Sequence, residues 1–251
     1  MKILALDSSG LVASVAVAED DILVAEYDIQ YKKTHSQTLL PMMDEIKQMI
    51  HLDMNSLDAI ALAAGPGSFT GLRIGSATAK GLGLALKIPL VEVPTLEGLA
   101  YNMYGASDYI CPIMDARRGQ VYTGVYCFEP FTGRSGYRLR TVVPQYAGAL
   151  EELVEKLNVF GKRILFLGDG VPVFEEKITE LMEVPFSFAP VHMNRQRAAS
   201  VAALGMVYYK EGKTVEAGEH APIYLRLSQA ERERKEKEEI SNGDGQADDG
   251  Q

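Results

Sequence analysis

The chain has 251 residues, enough for one large or two smaller domains, and 47% of them are apolar, ample for a buried core. A formal net charge of −9 excludes a broad nucleic-acid-binding face on this chain alone, because phosphate contacts need clustered Lys and Arg. No apolar run reaches the length of a membrane span, and Cys111 and Cys127 stand in no CxxC or zinc spacing, so a cytoplasmic, reducing location with unpaired thiols is expected.

Residues 3–6 read as a buried strand, and Asp7 follows too early for the apolar stretch of a secretion signal. After the turn Asp7-Ser8-Ser9-Gly10 the chain returns over 13–17 and continues the meander over 22–27. From 34 to 50 the period turns helical, with Leu39, Met42, Met43, Ile46, Met49 and Ile50 on one stripe and Pro41 in an early turn or a kink. An apolar strand over 57–64 runs into Gly65-Pro66-Gly67-Ser68-Phe69-Thr70-Gly71. A glycine loop feeding a helix start, with Thr70 as the expected N-cap, is a geometry that holds phosphates; a tight strand-to-helix turn is the alternative. The loop lacks the Gly-Lys-Ser/Thr ending of a P-loop, and its glycines run G-x-G-x-x-x-G, one residue off the dinucleotide fingerprint. The helix expected over 70–86 carries Gly75, Ala77, Ala79, Gly81, Gly83 and Ala85. Glycine costs a helix about 1 kcal/mol relative to Ala, so a second backbone is expected to pack close to it. A strand over 89–93 and a helix over 95–104 close this half.

The plan then repeats. Ile110-Cys111-Pro112-Ile113-Met114-Asp115 is an apolar strand ending in Asp, and after Ala116-Arg117-Arg118-Gly119 the alternating 120–126 returns. A helix over 146–157, a strand over 164–167 ending in Gly168-Asp169-Gly170 and a helix over 198–209 follow, and Pro222-Ile223-Tyr224-Leu225-Arg226 closes the fold. The division expected is 1–106, 107–228 and a charged, mostly disordered tail over 229–251.

The chemistry-bearing residues leave alternatives open. Asp7 and Asp115 each end a strand on a hairpin turn, where kinase-like duplicated folds hold a nucleotide's magnesium and where carboxylates also cap their own turns. Arg117-Arg118 suit a phosphate, a partner's acid or a solvated turn. The four histidines include no pair at metal-binding spacing, and His35 sits at a helix start where a cap accounts for it. Ser68 lies one residue early for a nucleophile elbow, and neither cysteine has a nameable partner, so a protease has no candidate pair. The methionine-rich stripe on the first helix, beside a second helix of small residues, reads as an interface, with a core-facing stripe as the alternative.

Five segments together resemble one family: Leu6-Asp7-Ser8-Ser9, His35-Ser36-Gln37-Thr38-Leu39-Leu40-Pro41, Gly65-Pro66-Gly67-Ser68-Phe69-Thr70-Gly71-Leu72-Arg73-Ile74-Gly75, Asp115-Ala116-Arg117-Arg118-Gly119-Gln120-Val121-Tyr122 and Pro222-Ile223-Tyr224-Leu225-Arg226. They are similar, in order, to TsaB (YeaZ), bacterial tRNA threonylcarbamoyladenosine biosynthesis proteins; residues from 229 have no counterpart. The resemblance implies an α/β, actin-like fold of the Hsp70/sugar-kinase type, built from two duplicated subdomains. It implies a non-catalytic subunit without metal or cofactor, since TsaB proteins lack the histidine pair of the catalytic subunit TsaD. It implies a homodimer when alone, a heterodimer with TsaD through the first two helices, a TsaE-type ATPase in the complex, and tRNA met indirectly. The implied partner surface is His35, Leu39, Met42, Met43, Ile46, Met49, Leu72, Ile74, Ala77 and Gly81. A vestigial nucleotide site would comprise Asp7, Ser9, Gly65, Gly67, Ser68, Asp115, Arg117 and Arg118, with Ser9 where a nucleotide-binding hairpin carries glycine. The alternative is an ATP-binding acyl or phosphoryl transferase using Asp7, Asp115 and the glycine loop.

Overall fold

The structure, a computed structural model, describes residues 1–31, 33–133 and 135–226; the tail expected over 229–251 lies outside the described residues. Two five-stranded mixed sheets form its frame. The first, in the order β3-β2-β1-β4-β5, contains β1 (Lys2–Asp7), β2 (Ala13–Glu19), β3 (Ile22–Ile29), β4 (Ala59–Gly65) and β5 (Leu90–Pro94). The second, in the order β10-β9-β6-β7-β8, contains β6 (Tyr109–Arg117), β7 (Gln120–Pro130), β8 (Tyr137–Ala149), β9 (Ile164–Leu167) and β10 (Phe186–Phe188). Read from the opposite edge, the second order is the first repeated: a three-strand antiparallel meander, then two parallel strands reached by crossovers. The duplication suggested by the two Asp-ended strands is a duplication of topology.

Alternation sorts each sheet's residues between two layers. Leu4, Leu6, Val15, Val17, Ile60 and Leu62 face α1 (His35–Met49) and α2 (Phe69–Leu86). Their neighbours Ile3, Ala5, Ala16, Ala61 and Ala63 face α6 (Ala198–Lys210), on the opposite side. Six of the nine buried sheet residues on this second face are alanine, so α6 comes very close: a Cβ on Gly205 would press on the Ala61 methyl at 2.7 Å. In the second sheet, Cys111, Ile113, Val121 and Phe166 pack under α4 (Leu150–Phe160) and α5 (Val171–Leu181). Ile110, Met114, Tyr126 and Leu167 meet α3 (Thr95–Tyr101) on the other face. Each half therefore lends its last helix to the other half: α3 packs onto the second sheet and α6 covers the first.

Local sequence accounts for most boundaries, with corrections. The helix after the glycine loop begins at Phe69, and its N-cap is Ser68, whose hydroxyl accepts from the Gly71 amide at 3.3 Å; Thr70 already lies within the helix. Pro41 sits inside α1 on its exposed side, as does Gln37 one turn earlier, and the helix runs on to Met49. Residues 146–149, expected to open a helix, instead end the 13-residue strand β8; α5 and β10 were not expected at all. No helix among the described residues is long and apolar enough to cross a membrane. Both cysteines are free and buried, and burial pushes the Cys111 thiol up to about 12, which leaves it unreactive.

Candidate functional site

The two hairpin turns meet across the groove between the sheets. In the first, the Asp7 carboxylate accepts from the Ser9 amide at 2.8 Å and the Ser9 hydroxyl at 2.6 Å. In the second, Asp115 accepts from the Arg117 amide, also at 2.8 Å, and pairs with the Arg117 guanidinium at 3.1 Å. Both carboxylates thus organise their own turns. Their surroundings differ. Asp7 is buried without a cation, and desolvation pushes it up to about 6, with Asp28 and Asp169 raising it further and the Ser9 bonds opposing.

The two strand-to-helix loops are equally matched. Gly65, at the end of β4, has φ +119°, and Gly168, after β9, has φ +112°. A Cβ at Gly65 would fall on the Ile223 carbonyl, and one at Gly168 on the Ile113 carbonyl. Only glycine fits either place. Farther along the first loop, Gly67 takes the Ser9 carbonyl against its backbone, while Gly71 and Gly75 of α2 take the Ser8 backbone and hydroxyl. The close-packing backbone expected beside this helix is therefore the chain's own first hairpin. Gly83 is likewise filled, by Ala217.

Between these parts lies a cleft of about 430 Å³. Of the residues assigned to a nucleotide site, Ser9, Gly67, Ser68, Asp115 and Arg117 line it. Asp7 lies beneath the turn at 2% exposure, Gly65 is sealed under the C-terminal segment, and Arg118 is exposed outside the lining. The structure adds Asp169, raised by burial, and His35. The His35 ring meets the Gly10 carbonyl through Nε2 at 2.9 Å, which makes Nε2 the protonated nitrogen. Its Nδ1, like Asp169 Oδ1, is buried without a partner among the described residues. Asp169 was legible as the Gly-Asp-Gly counterpart of the first glycine loop. His35, assigned to the partner surface, belongs to this cleft.

The C-terminal segment closes one wall. Lys80 donates to the carbonyls of Gly218 and His220 at 3.0 and 2.9 Å. The Ile223 amide donates to Ala64 at 2.7 Å, and Tyr224 stacks on Phe69 with ring centroids 4.7 Å apart. Arg226 then donates to the Ala116 carbonyl of the second hairpin. Within this strap lies a constellation the sequence hid: Ser76, His220 and Glu92. Nδ1 of His220 donates to the Glu92 carboxylate at 2.5 Å, so Nε2 is left to accept from the Ser76 hydroxyl at 2.8 Å. The order of groups is that of a hydrolase triad. Yet Ser76 is 6% and His220 2% exposed, closed to a substrate, so the three clasp the strap to α2 and β5.

The expected partner surface needs correction. Leu39, Met42, Met43, Ile46 and Leu72 are between 1% and 6% exposed and form the chain's own core against the first sheet; Ile74 is half-buried beside them. An apolar stripe of that width is what a helix needs to sit on a sheet. Met49 is 83% exposed, and Ala77 and Gly81 face solvent. These two belong to an outer ridge of α2 at Arg73, Ala77, Gly81 and Leu84, the last 61% exposed; a Cβ on Gly81 would meet nothing within 4 Å. Leu40 of α1 adds a further 56% exposed leucine. Among the described residues, no group of three or more His, Cys, Asp or Glu is placed to hold a metal ion.

Two sheets of the same topology, joined across a cleft at their hairpin turns, define an α/β protein of the actin-like class to which Hsp70 and sugar kinases belong. The chain belongs to the TsaB (YeaZ) family. A family model described as TsaD, tRNA N6-adenosine threonylcarbamoyltransferase, matches residues 24–234. The tRNA threonylcarbamoyladenosine biosynthesis protein TsaB of Bacillus subtilis strain 168 is 35% identical, covering 92% of this chain and 96% of the relative. TsaB of Escherichia coli K12 is 30% identical, covering 90% and 95%. A Pseudomonas aeruginosa crystal structure, described as similar to peptidase YEAZ, superposes with TM-score 0.74 at 26% identity, over 90% of this chain and 99% of that one.

Proposed function

We propose that this chain serves tRNA threonylcarbamoyladenosine synthesis as a non-catalytic, cytoplasmic subunit that docks a TsaD-like catalytic subunit, with a TsaE-like ATPase in the assembly, and that it forms a homodimer on the same face when alone. The observation that carries the docking is the outer ridge of α2. Ala77 and Gly81 form a flat line beside the exposed Leu84, where a second helix can approach backbone to backbone, and the exposed Leu40 of α1 adds apolar surface. Support for a non-catalytic role comes from the cleft: Ser9 folds onto Asp7, and the strap from Ile223 to Arg226 lines the space beside the turn. The test is formation of threonylcarbamoyladenosine on tRNA by a reconstituted mixture with and without this chain. Product lost on omission, with none made by this chain alone, is expected; undiminished product without it sinks the proposal.

One observation favours a second reading. Asp169 and His35 line the cleft beside Asp115 and Arg117, and Asp169 Oδ1 and His35 Nδ1 are buried there without a partner among the described residues, which leaves hydrogen-bonding capacity for a polar ligand. Calorimetric titration with ATP and magnesium decides it: micromolar binding lost in Asp115→Ala supports a transferase, and no heat dismisses it.

A further inference from the structure

On the side of the first sheet opposite α1 and α2, the helices α3 and α6 and the start of β8 enclose an open groove of about 700 Å³, within the range of about 300–1,000 Å³ usual for ligand sites. Five of the chain's 12 Tyr and 8 Phe line it, a concentration that core packing alone does not call for at a solvent-open surface. Tyr104 and Tyr137 stand edge to face, with ring centroids 5.7 Å apart, and the Tyr104 hydroxyl accepts from the Tyr137 amide at 2.8 Å. The pair is thus held in place while remaining 47% and 39% exposed. Cations stand on the rim. Lys213 lies over the Tyr208 ring at 4.4 Å, and Lys210 and Arg138, the latter paired with Glu129 at 2.8 Å, complete the set.

The two acids of the groove are engaged already: Tyr208 donates its hydroxyl to Glu97, and Glu211 pairs with Lys213 at 2.7 Å. Lys210 has no ion pair among the described residues. A positively rimmed groove floored by fixed rings, on a chain of net charge −9, selects a ligand with both flat faces and negative charge. Tyrosine rings stack on bases of any sequence, and ammonium and guanidinium groups meet the phosphates between them. An acidic peptide has no use for the rings, and a neutral sugar none for the cations.

We propose that this groove binds unpaired nucleotides of an RNA strand. The identity of that RNA as tRNA rests on the function proposed above; the inference adds a place where this chain itself touches it. The site is local, so it does not conflict with the lack of a broad basic face, and it stays open when a partner covers α2.

The experiment titrates the full chain into a fluorescein-labelled oligouridylate, a duplex RNA of the same length, and the oligouridylate with polyglutamate as competitor. The single strand is expected to bind at low salt at least tenfold more tightly than the duplex and to resist polyglutamate. Lys210→Glu combined with Lys213→Glu should weaken binding at least tenfold and flatten the log–log salt dependence by about 1.4, the value for two lost phosphate contacts on a single strand. Tyr137→Ala should weaken it about fivefold or more, and circular dichroism checks its fold. Should Tyr137→Ala fail to fold, the exposed lysine pair still decides. Absence of binding by the unmodified chain, equal affinity for duplex, displacement by polyglutamate at equal charge, or an unaffected lysine variant each overturns the inference. If the chain proves necessary for tRNA modification while the lysine variant binds RNA normally, the groove falls and the function stands. If it proves dispensable while the groove binds, the reverse holds.

Discussion

The two hairpins make an instructive pair. Each ends a buried strand with an aspartate whose carboxylate accepts from the amide two residues on, at 2.8 Å in both. The backbone device is the same, yet Asp7 is buried without a cation and Asp115 reaches solvent beside Arg117. What separates them is the neighbouring helix. α2 presents Gly71 and Gly75 to the first hairpin and buries it, whereas the second hairpin turns through Arg117 and Arg118, both at positive φ and both exposed. A duplicated motif keeps its hydrogen bonds and loses its electrostatic equivalence as soon as one copy is covered.

The strongest test of the likeness lies in the strand-to-helix loops. Gly65→Ala and Gly168→Ala each force a left-handed residue's Cβ onto a carbonyl oxygen, so both should destabilise by about 4 kcal/mol or more. Urea unfolding followed by circular dichroism measures this; a mild effect in one alone would break the equivalence. The strongest test of the difference is Asp7→Asn against Asp115→Asn. Folded Asp7 keeps its proton up to about pH 6 while the unfolded chain loses it near the ordinary 3.8. The folded state then binds the extra proton, so stability falls as pH climbs through that window and stays lower above it. Asp7→Asn removes that fall, worth about 3 kcal/mol at pH 8 and nothing at pH 3.5. Asp115→Asn should change stability by less than about 1 kcal/mol, since it loses only an exposed pair.

Among the described residues the clasp has no counterpart in the second half. Ser76→Ala leaves buried Nε2 of His220 unsatisfied and should cost about 2 kcal/mol, read by the same unfolding curves. The smallest change in stability belongs to the ridge. Gly81→Glu should leave the fold unharmed, or up to about 1 kcal/mol firmer because glycine is a poor helix former, while sedimentation shows assembly lost. Charging Met43 or Ile46 is a poor substitute: both lie in the core, so the chain would unfold before an interface could be judged.

Much of this was legible from the residues. The first meander, α1, α2 and the repeat of an Asp-ended strand followed from periodicity and turn chemistry. The missed elements share a cause. β10 is three residues long, and α5 opens on Val171-Pro172-Val173, which looks like the end of a strand. Tyr146-Ala147-Gly148-Ala149 borders a helix closely enough to be taken for its first turn. The site was harder to read. A stripe such as Leu39, Met42, Met43 and Ile46 looks the same whether it meets its own sheet or a stranger, because only the tertiary structure says which. Ser76 and His220 are 144 residues apart, and no local pattern could have paired them.

The exchange of helices between the halves has a consequence for synthesis. One face of the first sheet, with Ile3, Ala5, Ala16 and Ala61, takes most of its cover from residues 198–210, with Tyr101 and Leu139 packed at its margin. A chain leaving the ribosome from its N-terminus therefore completes the second half's hydrophobic interior before the first half's. Until translation nears its end, that alanine-lined face waits largely uncovered, and a message truncated before α6 would release a nascent product whose oldest segment is its least finished.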